Sequence, residues 1–281
     1  MILPTSSTAS ANKAIVPFDL TEQGHIVFKA TVNRTEGTFI LDTGAGINLL
    51  TTTFSRKVNC LESKNQAYKG YRATGDSLEV DLYKAKTFEI DTFFIYNELF
   101  SIYPADLFFD GLISLTPFKN STLTIDFVKK ILIIGPLKPI CFYRKNELIK
   151  IQILNDHNIN LTIFMKIKLN NKVLLNVNLD SGAGFDVFRF NSKYLKCFNV
   201  NLSKIHGEWK RSEFVKGHEN LYYYTNLAKM TSLNGCAVLQ NFNATFISGL
   251  IYDGITSVNW IASEITIDIA NALLIIKQRS S

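Results

Sequence analysis

Two aspartates stand in near-identical surroundings. Residues 39–46 read Phe-Ile-Leu-Asp-Thr-Gly-Ala-Gly, and residues 177–184 read Val-Asn-Leu-Asp-Ser-Gly-Ala-Gly. In each, an apolar run delivers an Asp, then a hydroxyl residue, then Gly-Ala-Gly. A carboxylate at the end of a buried strand is costly unless it is paired or used. Asp42 and Asp180 are 138 residues apart, so each holds a similar place in its own half of the 281-residue chain. If the two halves face each other, the carboxyls meet. Two such groups share one proton and titrate as a pair, one pKa lowered and the other raised. The pair can hold a water: the ionised member takes its proton while the protonated member polarises a carbonyl. That chemistry needs neither a metal nor a nucleophilic side chain.

Other recurring segments frame the pair. Asp110-Gly111-Leu112-Ile113-Ser114 and Asp253-Gly254-Ile255-Thr256-Ser257 follow their Asp by 68 and 73 residues. Each is followed by a hairpin with Thr-Ile-Asp in its first strand, ending in Asp126 and Asp268. Three anchors in the same order at nearly equal offsets mark an internal duplication. Asp110, Asp126, Asp253 and Asp268 themselves read as turn and hairpin residues that accept from backbone N–H groups.

Short strands dominate and no segment carries a long 3.6-residue apolar period, so the chain reads as all-β. In the first half, strands are expected at 15–20, 25–32 and 38–41, resuming at 47–50, with a short helix or turn over 52–58. A polar loop or hairpin tip is expected at 61–77, and strand again at 78–95. In the second half, strands are expected at 147–153, 161–169 and 173–179, a polar stretch at 200–220, and strand at 222–233. The predicted organisation is a polar tail (1–14), one half (15–136), a linker (137–146) and a second half (147–281).

Asp-Thr-Gly-Ala-Gly after an apolar strand resembles the active-site loop of retropepsin-like aspartic peptidases. The segments after Asp110 and Asp253 resemble the supporting segment of that family, although here the Gly precedes the apolar pair. The resemblance covers roughly residues 15–135 and 147–276, both halves in one chain, as in the bacterial single-chain type. It implies a bilobal fold, two retropepsin-like lobes about a pseudo-two-fold axis with the active site between them. By the same resemblance Asp42 and Asp180 are the catalytic pair. Thr43 and Ser181 lock the loops across the axis, and Gly44 and Gly182 contact the substrate backbone. Ala45 and Ala183 stand where pepsin-like enzymes usually carry Ser or Thr, which removes a hydrogen-bond donor from each carboxylate and implies a less acidic pH optimum. A flap is expected at 68–78, with Tyr71 and Thr74 near its tip. Tyr71 can equally be an ordinary exposed hairpin residue. A weaker second flap candidate lies at His206-Gly207-Glu208-Trp209.

The implied activity is that of an endopeptidase acting on an extended peptide or protein, as a monomer. A catalytically silent peptide-binding module on the same fold is the alternative. A duplicated-loop phosphotransferase of the actin and sugar-kinase type would need alternating helices and strands. No cofactor is implied. The four cysteines (60, 141, 197 and 236) and four histidines have no zinc-ligand spacing. Cys60 and Cys197 hold equivalent places and read as buried thiols, with a disulfide through Cys141 or Cys236 left open. The net charge of +6 is spread over the sequence, which argues against nucleic-acid binding. No apolar run reaches the length of a membrane span. The first ten residues lack the basic and apolar regions of a signal peptide. Compartment stays open, an exported or cell-envelope location being favoured.

Overall fold

The computed structural model describes residues 13–104, 108–198, 207–212 and 215–277. The chain is all-β. Among the described residues its strands form a thirteen-stranded and an eight-stranded sheet. The helical content of the described residues is one α-turn, Thr52–Ser55, and short 3-10 segments. No described helix is long and apolar enough to cross a membrane.

Period-two patterning makes the strands. In Ile26–Val32, Ile26, Phe28, Ala30 and Val32 are buried, while the residues between them are not. This strand pairs with Thr35–Leu41 through a two-residue turn, Asn33-Arg34, both with positive φ. Its counterpart joins Asn160–Leu169 to Val173–Leu179 around Asn170 and Asn171, again with positive φ. Phe39, fully buried, anchors the first half. It packs edge-on against Phe54 and Phe88, with ring centroids 5.5 and 6.4 Å away.

The strands that deliver the two aspartates are treated alike. Thr35–Leu41 runs parallel to the short strand Gly111–Ile113, and Asn48–Thr51 lies on the other side of that strand. Val173–Leu179 runs parallel to Gly254–Thr256, flanked on its other side by Phe188–Asn191. Between these strands the chain must cross over the end of the short strand, and both Asp loops lie at that crossing. The short strand is squeezed from both sides, so its first residue is Gly in each half. A Cβ on Gly111 would lie 2.2 Å from the Leu49 carbonyl oxygen, and one on Gly254 would lie 2.9 Å from that of Arg189.

The halves share a sheet. The hairpin Thr122–Asp126/Ile131–Gly135 pairs antiparallel with the hairpin Glu264–Asp268/Leu273–Lys277. At the centre Thr124 faces Thr266, hydroxyl to hydroxyl at 2.7 Å. Ala14–Pro17 and Leu148–Lys150 extend this platform at its two ends. Leu123, Ile125, Leu132 and Ile134 are fully buried beneath it, and Ile265, Ile267, Leu274 and Ile276 nearly so.

Several expectations need correction. Of the loop or hairpin tip expected at 61–77, the turn between Tyr71 and Ser77 is a hairpin tip, while Glu62–Tyr71 is a strand paired with Ser77–Ile90. Nearly all of its residues are exposed, so no buried face imposed an apolar alternation. In the polar stretch at 200–220, Gly207–Arg211 is likewise an exposed strand, paired to Glu219–Ser232. The single strand expected at 78–95 is two, turning at Asp91 and Thr92, with Asp91 at φ 53°. Strands Phe188–Asn191 and Val238–Ile247 were not expected at all. The expected strand at 15–20 is two short strands, Ala14–Pro17 and Asp19–Leu20, in different sheets. Residues 1–12 of the expected tail lie outside the described residues. The expected linker holds two 3-10 turns, Ile140–Phe142 and Lys145–Glu147. Cys60 and Cys197 are exposed rather than buried: Cys60 lies in a turn after Thr52–Ser55, and Cys197 in the 3-10 segment Ser192–Phe198. Cys60, Cys141 and Cys197 are free thiols.

A buried polar network holds the strand after the first Asp loop. Asn48 donates to Glu98 Oε1 at 2.8 Å and accepts from the backbone N–H of Ser114 at 2.9 Å. Thr116 also donates to Glu98 Oε1, at 2.8 Å. Burial pushes the Glu98 carboxyl above the ordinary carboxylate range, and the Thr116 and Asn48 bonds offset only part of this. A raised folded-state pKa gives stability that is full below the unfolded pKa and is lost as pH rises through the folded one. We therefore expect Glu98→Gln, which keeps the Oε1 acceptor, to gain stability relative to the unsubstituted protein as pH rises from the carboxylate range to neutrality. Urea midpoints at several pH values check this, and a difference independent of pH contradicts it.

Candidate active site

Each Asp ends its strand with a last ladder bond. The Asp42 N–H donates to Ile113 O and the Asp180 N–H to Thr256 O, both at 2.9 Å. Beyond that point the chain turns back on the side chain. Asp42 Oδ1 accepts from the N–H of Gly44 at 3.0 Å and of Ala45 at 2.9 Å. Asp180 Oδ1 accepts from Ala183 N–H at 3.0 Å.

The two loops are bonded to one another reciprocally. Thr43 N–H donates to Ser181 Oγ and Ser181 N–H to Thr43 Oγ1, both at 3.0 Å. Thr43 Oγ1 then donates to Leu179 O at 2.8 Å, and Ser181 Oγ to Leu41 O at 2.7 Å. Exchanging the halves exchanges the bonds. Both hydroxyls are buried, so all four bonds are made away from water. The outer ends of the loops are pinned across as well. Leu161 N–H donates to Gly46 O, and Phe185 N–H to Gln23 O, each at 2.8 Å.

This bracing sets the carboxyls face to face, in hydrogen-bonding contact. Each also lies against the other loop's glycine. A Cβ on Gly44 would stand 2.4 Å from Asp180 Cγ, and one on Gly182 would stand 2.3 Å from Asp42 Cγ. Only glycine allows that approach. Burial, the Asp42 charge and the Asp42 hydrogen bond all push the Asp180 carboxyl well above its ordinary range. Burial raises Asp42 too, but the Ala45 N–H, the Asp180 hydrogen bond, the Gly44 N–H and the charge of His25 draw it back. The pair is thus asymmetric: Asp42 has two backbone donors and Asp180 one.

Asp110, Asp126, Asp253 and Asp268 all accept from backbone N–H groups. Asp126 and Asp268 cap their own hairpin turns, at Val128 and Lys129 and at Asn271. Asp110 and Asp253 reach farther, to the N–H of Thr38 and of Asn176, each four residues before the Asp of its half. Asp253 is also held by the Tyr194 hydroxyl and by Lys193 at 3.2 Å. These residues position the Asp strands and do not enter the site.

The hairpin Glu62–Tyr71/Ser77–Ile90 spans the region predicted as a flap, and its tip reaches the second half. Ile251 N–H donates to Ala73 O at 2.9 Å, and His218 Nε2 lies 3.0 Å from Thr74 O. Thr74 Oγ1 donates to Asp76 Oδ2 at 3.0 Å. Tyr71 is 60% exposed, as an ordinary hairpin tyrosine would be. In the weaker flap candidate, His206 lies outside the described residues, while Gly207, Glu208 and Trp209 belong to an exposed strand. Sequence reading missed Tyr252, whose hydroxyl is pushed up by burial and by the Asp180 charge. It also missed His25, near Gly184 and bonded through Nδ1 to Thr21 Oγ1 at 3.0 Å. Neither sits in a motif, so only the fold could bring them here. Among the described residues no cluster of His, Cys, Asp and Glu could hold a metal ion. A groove of about 970 Å³ beside Leu148, Phe164 and Leu273 contains none of these residues.

No family model matches the chain, and no curated protein matches it. The chain is similar to a solved structure, the crystal structure of a retropepsin-like aspartic protease from Rickettsia conorii. The two are 20% identical, with 46% of this chain and 95% of that one covered and a TM-score of 0.34.

Thr43→Val leaves Ser181 N–H and Leu179 O buried without partners, at about 1–3 kcal/mol for each. We expect it to lower unfolding free energy by about 2–6 kcal/mol, measured by urea denaturation. Thr43→Ser, which copies the other loop, should lose much less. Equal losses for the two variants would contradict the assignment.

Proposed function

We propose that the protein is an aspartic endopeptidase built as two retropepsin-like lobes in one chain, hydrolysing peptide bonds with a water held between Asp42 and Asp180. The observation that carries this is the reciprocal Thr43–Ser181 bonding, which fixes two carboxyls in contact with one of them strongly favouring its proton. Asp42, with its two backbone donors, is the ionised member and takes a proton from the water. Asp180 is the protonated member and donates to the scissile carbonyl. The water oxygen bonds to the carbonyl carbon, giving a tetrahedral gem-diol. The proton held by Asp42 passes to the amide nitrogen as the C–N bond breaks, and Asp180 recovers its own. Gly44 and Gly182 leave room for an extended substrate backbone to approach, and the substrate binds by strand-like pairing with apolar side-chain pockets. Tyr71 and Thr74 belong to the hairpin that closes over it.

Asp42→Asn and Asp180→Asn should each reduce kcat/KM by about 10²–10⁴-fold, measured on a peptide library with a statine-type inhibitor as control. Activity surviving either change overturns the mechanism. Peptide binding without cleavage by the unsubstituted protein identifies a silent binding module instead.

With Ala45 and Ala183 in place of a hydroxyl donor, and burial raising the pair, the pH–rate profile should peak at less acidic pH than in pepsin-like enzymes. A maximum as acidic as theirs contradicts this. Both carboxyls come from one chain, so the active species should sediment as a monomer.

A further inference from the structure

The tip of the Glu62–Tyr71/Ser77–Ile90 hairpin carries a carboxylate that the proposed chemistry does not use. Asp76 is only 4% exposed. Its Oδ2 accepts from Thr74 Oγ1 at 3.0 Å and from Ser212 Oγ, in the other half, at 3.1 Å. Its Oδ1 is buried with no hydrogen-bond partner among the described residues. His218 Nε2 lies 3.5 Å from that oxygen. The same Nε2 bonds Thr74 O, and Asn220 Nδ2 approaches that carbonyl at 3.4 Å.

The contacts form one patch between the halves. Ala73, Tyr222 and Tyr252 pack against the buried cluster of Ile247, Leu250 and Ile255, and Ile251 N–H bonds Ala73 O. The Asp180 charge, together with burial, pushes the Tyr252 hydroxyl up. Farther along the hairpin, Tyr68 donates to Asp156 Oδ2 at 2.9 Å. The hairpin therefore lies across the second half. A desolvated carboxylate with one unfilled oxygen favours release of the tip into water. The bonds from Ser212, His218 and Asn220 favour keeping it down. The two tendencies oppose each other at one residue, which is what a gate that must open for substrate requires.

Resting on the peptidase reading for its purpose, we propose that Asp76 and His218 are positioning residues. They latch the hairpin tip of the first half to Ser212 and Asn220 of the second and so hold the cleft closed. The latch makes no contact with the reacting atoms.

Hydrogen exchange of the Ile251 amide reads the latch directly, whether or not the protein cleaves peptides. Asp76→Ala and His218→Ala should each speed that exchange about tenfold. The Arg72 and Gly75 amides, bonded within the turn at 2.7 and 2.9 Å, should keep their protection. His218→Gln, which retains a donor toward Thr74 O, should restore most of the Ile251 protection, and Asp76→Asn serves where the alanine variant does not fold. The same variants should release a statine-type inhibitor about tenfold faster, with the limbs of the pH–rate profile unmoved. Unchanged Ile251 protection in folded variants overturns the latch. So does equal loss at Arg72 and Gly75, which would mean that the turn itself had come apart. An unsubstituted protein that neither cleaves peptide nor binds the inhibitor removes the peptidase reading and leaves the exchange result to decide the latch.

Discussion

Four hydrogen bonds between Thr43 and Ser181 and the backbone of the opposite loop hold the centre of the molecule together. Each hydroxyl accepts from one backbone N–H of the other loop and donates to one backbone carbonyl, so neither loop can be satisfied alone. Because the bonds are buried, breaking them leaves polar groups without partners rather than returning them to water. Everything that brings Asp42 and Asp180 together follows from this. The approach of each carboxyl to the glycine of the opposite loop, Gly44 or Gly182, is possible only with the loops held in contact.

Around that centre the structure layers its support. The short strands Gly111–Ile113 and Gly254–Thr256 receive the last ladder bond of each Asp strand. Asp110 and Asp253, just before them, reach back to the strand four residues upstream of each Asp. The Asn48–Glu98–Ser114–Thr116 network then fixes the exit from the first loop. The second half uses different residues for part of the same work, with Ser257 Oγ accepting from Val187 N–H. The repeat is strict where the two loops touch and relaxed one step away from them.

That gradient explains what could be read from sequence. The Asp loops were legible because the same five-residue pattern follows an apolar strand twice. The Asp-Gly segments and closing hairpins were legible because they recur at matching offsets. The hairpin turn at Asn170 and Asn171 was legible from residue type. What lay hidden was the exposed β-structure. Glu62–Tyr71 and Gly207–Arg211 bury almost nothing, so they carry no alternation, and their strand identity comes from backbone pairing with a neighbour. His25, Asp76, His218 and Tyr252 were equally silent, since each matters only through a residue far away in sequence.

The platform carries a further consequence. Thr122–Asp126 pairs with Glu264–Asp268 so that the repeated threonines, Thr124 and Thr266, face each other at the midpoint. The two strands occupy equivalent places in the repeat, so the pairing is self-complementary, the kind that joins identical subunits about a two-fold axis. A single half cut free would present this strand as an open edge, and the partner that fits it best is a second copy of itself. The chain thus holds a self-complementary strand pairing inside one molecule, where its formation does not depend on protein concentration.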